Sequence, residues 1–124
     1  MIHHIRHRLY KHTISFKHAF EGIIWALKTQ PNYQIHLALA FASLAGAYYY
    51  KITYSEFLAL IILIFIGLSI ETINTSIEKL ADAVDTNFNE NIKIAKDTGA
   101  GAMLFFAFGA TITACIIFLP RIFG

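Results

Sequence analysis

The chain of 124 residues has few charges, only 15% of its positions, against 56% hydrophobic residues and a mean hydropathy of +0.55. A soluble domain this small has no interior able to hide so much apolar surface, so the composition indicates an integral membrane protein. The net charge is only +2. So weak a balance in so apolar a chain argues against a nucleic-acid partner. There is a single cysteine, Cys115. It rules out an intrachain disulfide, carries no sign of an oxidising compartment, and lies in an apolar run as a packing residue. Neither a Gly-x-x-x-x-Gly-Lys-Ser/Thr loop nor a Gly-x-Gly-x-x-Gly loop is present, so the soluble nucleotide-binding folds find no support. The basic, His-rich start at residues 1–8 is not closely followed by an apolar leader core. It reads as a retained cytoplasmic tail. Internal repeats and low-complexity linkers are also missing.

What remains is helical. Residues 1–12 read as the basic tail and 13–124 as one membrane domain. In residues 13–29, Ile14, Phe16, Phe20, Ile23, Ile24 and Leu27 recur at helical spacing opposite Lys17, His18, Glu21 and Lys28. This predicts an amphipathic helix in the membrane interface, with Trp25 near headgroup level. Pro31 interrupts it and suits the first turn of the next helix. Three spans are expected, at roughly 33–50, 57–78 and 98–119. Tyr48, Tyr49 and Tyr50 form an aromatic belt at the end of the first, Ser55 and Glu56 start the second, and Pro120 ends the third. Arg6, Arg8, Lys11, Lys17, Lys28, Lys79, Lys93 and Lys96 fall on one side of this arrangement, against Lys51 and Arg121 on the other. The positive-inside rule then puts the N-terminus and the 79–97 connection in the cytoplasm.

The strongest chemical signal follows the apolar run 57–70. If the helix continues, Asn74, Glu78 and Asp82 lie within roughly 60° of Glu71 around its axis. Carboxylates at membrane depth are expensive and are kept mainly where they face protein, water or a cation. Glu71 and Glu78 are separated by about 10 Å along the axis, too far to clamp one ion together. They can divide labour, one near the apolar zone as a base and the other nearer water as a metal ligand. Magnesium takes one or two carboxylates plus phosphate oxygens. Asn74 can orient a carboxylate or phosphate, and Lys96 with Asp97 adds a cation for phosphate charge. The histidines are weaker signals: His3 and His7 in the tail, His18 on the polar side of the surface helix, and His36 early in the first span.

These residues resemble the small prokaryotic diacylglycerol and undecaprenol kinases over about residues 14–120. The pattern Glu-x-x-Asn-[Ser/Thr]-x-Ile-Glu-x-x-x-Asp is met by Glu71, Asn74, Thr75, Ile77, Glu78 and Asp82. Ala95, Lys96 and Asp97, followed by Gly99, Ala100, Gly101 and Ala102, supply a second match. Ser15, Phe16, Ala19, Phe20, Gly22 and Ala26, then Asn32, Tyr33, Ile35 and His36, supply a weaker third.

The resemblance implies a surface helix with three spans, assembled as a homotrimer in the bacterial cytoplasmic membrane. It implies transfer of the ATP γ-phosphate to a lipid hydroxyl with Mg2+. Glu71 would be the catalytic base, Glu78 a metal ligand and nucleotide contact, and Asn74 and Asp82 supporting residues. Lys11, His18, Gln30, Asn87, Phe88, Asn89, Lys96 and Asp97 would contact nucleotide. Gln30 stands where the family often has a second metal-binding Glu, so its neutral oxygen would reach the metal through water. The Asn-aromatic-x-Ile-His segment and the Phe-Leu-Pro ending look more like the undecaprenol kinases than the enteric diacylglycerol kinases. A polyprenol acceptor is therefore favoured over diacylglycerol. The rival class is a non-enzymatic oligomeric membrane protein, such as an ion conduit, using the same carboxylates.

Overall fold

The computed structural model describes the backbone from Ile2 and the side chains from Ser15 to the C-terminus. The chain is entirely helical across these residues: α1 (Ile2–Thr29), α2 (Pro31–Tyr50), α3 (Tyr54–Val84) and α4 (Glu90–Phe123). It forms two compact units, Met1–Pro31 and Asn32–Gly124. The first is α1, which takes in the segment expected as a basic tail. Its Phe16, Phe20 and Ile24 are exposed. Gln30 breaks the helix, and Pro31 opens α2 as expected, at a position where the missing N–H costs nothing.

Within the second unit, α3 and α4 are the pair whose backbones approach closely. Both are long and apolar enough to cross a membrane. Their contacts run in antiparallel register. Glu56 meets Arg121 at one end, Gly67 faces the Phe106 ring in the middle, and Asp82 meets Lys96 at the other end. A side chain at Gly67 would collide with Phe106, so this close approach requires glycine. At 31 and 34 residues, the two helices measure about 46 and 51 Å, well beyond a hydrocarbon core of about 30 Å. The excess is the polar end that carries Glu78, Asp82 and Lys96.

The shorter α2 reaches this pair through side chains. The Tyr33 hydroxyl lies 3.3 Å from Thr72 Oγ1, and the His36 and Tyr50 rings lie against Phe106 and Phe118. At the far end Ala47, Leu60 and Ile117 are buried together, with Ile52 and Phe118 packed on them. The α2–α3 turn is built for this cluster. Lys51 has φ 50°, and the Ile52 N–H donates to Ala47 O at 3.3 Å. That is the left-handed helix stop in which the residue after the bend packs back on the last turn.

Three boundaries differ from those expected. The cap of α3 is Thr53, not Ser55. Its hydroxyl accepts from the Glu56 N–H while the Glu56 carboxylate accepts from the Thr53 N–H, so both orphan donors are satisfied reciprocally. α4 begins at Glu90 rather than near 98, because Asn89 Oδ1 caps it by accepting from the N–H groups of Asn91 and Ile92. It also continues through Pro120 to Phe123. A proline there deletes one hydrogen bond in the last turn and leaves the packing of Ile117 intact.

Candidate active site

As expected, α3 continues without interruption through the acidic stripe. Glu71, Asn74 and Thr75 are buried, while Ile73 and Leu80 are 61% and 68% exposed. In this first part of the stripe the polar Glu71, Asn74 and Thr75 face protein while the apolar Ile73 faces outward, an arrangement suited to a lipid surround rather than to water.

Glu71 sits deepest, one residue past the apolar stretch, with its side chain only 5% exposed. Its carboxylate is 3.8 Å from His36 Nε2, contributed by α2. One turn along, Asn74 Nδ2 donates to Glu78 Oε1 at 3.4 Å. The other end of that amide, Oδ1, is buried without a hydrogen-bond partner, at a typical cost of about 1–3 kcal/mol. It points at Gly99 of α4, where an added Cβ would lie 2.5 Å away. Gly99 therefore keeps the space in which Asn74 holds Glu78. Glu78 itself is exposed. Its single long hydrogen bond leaves oxygen lone pairs for a hard cation.

Lys96 Nζ lies 2.6 Å from Asp82 Oδ1, so two of the expected residues form an ion pair across α3 and α4. Asp97, one residue on, accepts from Lys93 Nζ at 2.5 Å on an exposed part of α4. In the connection, the Asn87 N–H donates to Asp85 Oδ1 at 2.8 Å. Asn89 Oδ1 is engaged in capping, and the Phe88 ring is 83% exposed. In the first unit, His18 Nδ1 is 3.2 Å from Glu21 Oε2, and Gln30 Nε2 donates to Thr29 Oγ1 at 3.2 Å. The Lys11 side chain lies outside the described residues.

Glu71, Asn74, Glu78, Asp82 and Lys96 are thus brought to one face of the α3–α4 pair. His36 and Gly99 complete that face. In the sequence His36 was marked by its polarity within an apolar span and by its place in the third, weaker family match. Gly99 was marked by its place in the small-residue run of the second match, with no role attached to it.

Fold and site together define a helical membrane protein with a buried carboxylate where its apolar zone ends. The chain belongs to the prokaryotic diacylglycerol kinase family, whose model matches residues 17–118. It is 34% identical over 117 residues to a protein named undecaprenol kinase from Bacillus subtilis, covering 94% of this chain and 95% of the relative. It is 32% identical over 111 residues to a diacylglycerol kinase from Synechocystis, covering 86% of this chain and 62% of the relative. The protein is a lipid kinase.

Proposed function

We propose that the chain transfers the γ-phosphate of ATP to the hydroxyl of a membrane lipid alcohol with magnesium, and that a polyprenol is preferred over diacylglycerol. The observation that carries this reading is Glu71. Its carboxylate is buried directly beyond the apolar stretch, beside His36, at the depth where a lipid hydroxyl would sit. Glu71 accepts the hydroxyl proton as the lipid oxygen attacks the γ-phosphorus and the bond from that phosphorus to the β–γ bridging oxygen breaks, releasing ADP. Glu78 is the carboxylate free to hold the metal, which when bound neutralises charge on the phosphates. Asn74 orients Glu78, and the neutral oxygen of Gln30 would serve the metal through water rather than as a direct ligand. Lys96 swings from Asp82 to the phosphates, a move its long flexible stem allows. Asp97, Asn87 and Asn89 add polar contacts to nucleotide, as do Lys11 and His18, and the exposed Phe88 ring offers a face to adenine.

The spans would be α2, α3 and α4, with α1 on the cytoplasmic surface of the bacterial inner membrane. Among the described residues no three His, Cys, Asp or Glu side chains converge. A homotrimer, in which a neighbouring subunit adds groups to the site, is consistent with that. The polyprenol preference draws support from the undecaprenol kinase relative, which this chain matches over nearly its full length.

The test is transfer of labelled phosphate from ATP, with and without magnesium, to a panel of polyprenols and diacylglycerols in mixed micelles. Magnesium-dependent transfer, faster to polyprenol, is expected. Transfer to no lipid overturns the reaction, and faster transfer to diacylglycerol overturns the preference.

A further inference from the structure

A base that takes a proton must lose it again before the next turnover, and the Glu71 side chain is only 5% exposed. Its neighbours decide where that proton can go. The Thr75 side chain hydrogen-bonds to it, but a hydroxyl is too weak a base to take the proton, and Thr75 is itself buried. Asn74 is also buried and carries an amide, no better an acceptor of a full proton. Glu78, the other carboxylate acting on Glu71, stands about 10 Å along the helix axis. What is left is His36, whose Nε2 lies 3.8 Å from Glu71 Oε2 and whose side chain is 20% exposed. We infer that His36 is a proton relay, taking the lipid-hydroxyl proton from Glu71 after each transfer and passing it to water. The relay rests on the lipid-kinase reading and resets the base that this reading assigns.

The packing holds the ring for this task. Tyr33 and His36 share a face of α2 one turn apart, and the Tyr33 hydroxyl lies 3.3 Å from Thr72 Oγ1, next to Glu71 on α3. That contact sets the register of α2 against α3 at the carboxylate. From α4 the Phe106 ring backs the imidazole, with centroids 6.0 Å apart and planes tilted by 50°, in the room that Gly67 leaves for it. Among the described residues the ring packs on Phe106 and faces Glu71, and no hydrogen bond ties down either nitrogen. A shift of about 1 Å brings Nε2 within hydrogen-bond distance of the carboxylate. Among the described residues the titratable groups around the ring are Glu71 from α3 and Tyr33 on α2, while α4 presents the neutral Phe106. His36 is the sixth residue of α2, about 8 Å from its start, where Asn32 and Gln34 are exposed. The proton thus has a short way to the polar end of the helix.

The protons balance in three moves. The hydroxyl proton passes to a Glu71 oxygen as the lipid oxygen bonds to the γ-phosphorus and ADP leaves. The Glu71 O–H then donates to Nε2 of a neutral imidazole that carries its own proton on Nδ1. Glu71 returns to carboxylate, and the imidazolium loses a proton to water. One proton is released per phosphate transferred, and nothing is oxidised or reduced. A histidine that served only as a counter-ion to Glu71 would be needed from the first turnover, whereas a relay is needed only from the second.

Rapid-quench measurement of labelled phosphate transfer separates the first turnover from those that follow. In His36→Gln and His36→Ala the first turnover should stay within about threefold of wild type, because it begins with Glu71 ionised. Later turnovers should slow about tenfold or more, leaving a burst of one phosphorylated lipid per site. Added imidazole should restore the later turnovers of His36→Ala and leave its first turnover as it was. A first turnover slowed as much as the later ones overturns the relay and makes His36 a counter-ion or a packing residue. Wild-type rates in both phases overturn it too, and so does a burst that imidazole fails to relieve, which is the mark of slow product release. The second measurement uses the unsubstituted protein, so a folding defect cannot obscure it. As the pH falls from about 7.5 to about 5.5 an imidazole fills with protons, and later turnovers should slow more steeply than the first. A constant ratio of the two rates across that range overturns the relay. Wild-type protein that phosphorylates no lipid would instead sink the underlying kinase reading, whereas an active wild type with that constant ratio sinks the relay alone.

Discussion

The α3–α4 pair carries carboxylates at both ends, and they are treated in opposite ways. At one end Glu56 is fully engaged. The Arg121 guanidinium donates to both its oxygens at 2.7 and 2.8 Å, and the Thr53 N–H donates to the same side chain. A forked guanidinium against a carboxylate, combined with a capping box, is what a structural joint needs. At the other end Glu71 is more deeply buried and has no guanidinium or ammonium against it: the Thr75 side chain is its hydrogen-bond neighbour, and the His36 ring nitrogen lies 3.8 Å away, beyond hydrogen-bond distance. Glu78 has one long hydrogen bond from an amide whose other end is unpartnered. The difference teaches where chemistry can occur. A satisfied carboxylate has little left to offer a ligand, whereas an under-satisfied one is held ready at a cost in stability.

Substitutions can break or sharpen this contrast. The largest effect is expected at Glu71. Glu71→Gln keeps the shape and removes the base, so phosphate transfer should fall about 10²–10⁴-fold while ATP binding survives. Near-normal turnover at saturating ATP and lipid would remove Glu71 from that role.

Glu78→Gln should be less severe in rate but should raise the magnesium and ATP requirement, because a hard cation loses a charged oxygen. Titration of ATP with magnesium gives the comparison. Gln30→Ala should weaken binding less than Glu78→Ala, and Gln30→Glu should be tolerated. A larger loss at Gln30 would move the principal anchor to the segment before α2.

Gly99→Ala tests whether the unpartnered amide is held in place by space alone. The added methyl displaces Asn74 and with it Glu78, so kcat should fall about tenfold or more, with little change in Tm. Unaltered kinetics would mean that Asn74 does not position Glu78.

The smallest catalytic effect belongs to the opposite end. Glu56→Gln should lower Tm and leave kcat and KM for both substrates unchanged. A fall in kcat in this variant, with Tm held, would erase the distinction between the two ends.

Much of the site was legible along one helix. Glu71, Asn74, Glu78 and Asp82 share a face because 3.6 residues make a turn, and that holds wherever the helix packs. The burial of Glu71 could also be expected, since a carboxylate beside an apolar run needs shelter, whereas Glu78 and Asp82, farther from that run, are exposed. The caps were partly misread for a local reason. Ser, Thr and Asn near a helix start all offer a capping oxygen, and which one does so depends on backbone φ and ψ. Thr53 was taken rather than Ser55, and Asn89 extended α4 back through a connection that reads as polar loop.

Sequence alone thus determined the membrane character, the helical periodicity, the acidic stripe and, through residues 71–82 and 95–102, the family. Each of these depends on composition or on neighbours within a few turns. Tertiary structure alone decided that His36 meets Glu71, that Lys96 pairs with Asp82, and that Gly99 clears the space for Asn74. These meetings join residues 14 to 35 positions apart on different helices. They depend on helix register, spacing and the size of the side chains between, which no single helix's pattern contains.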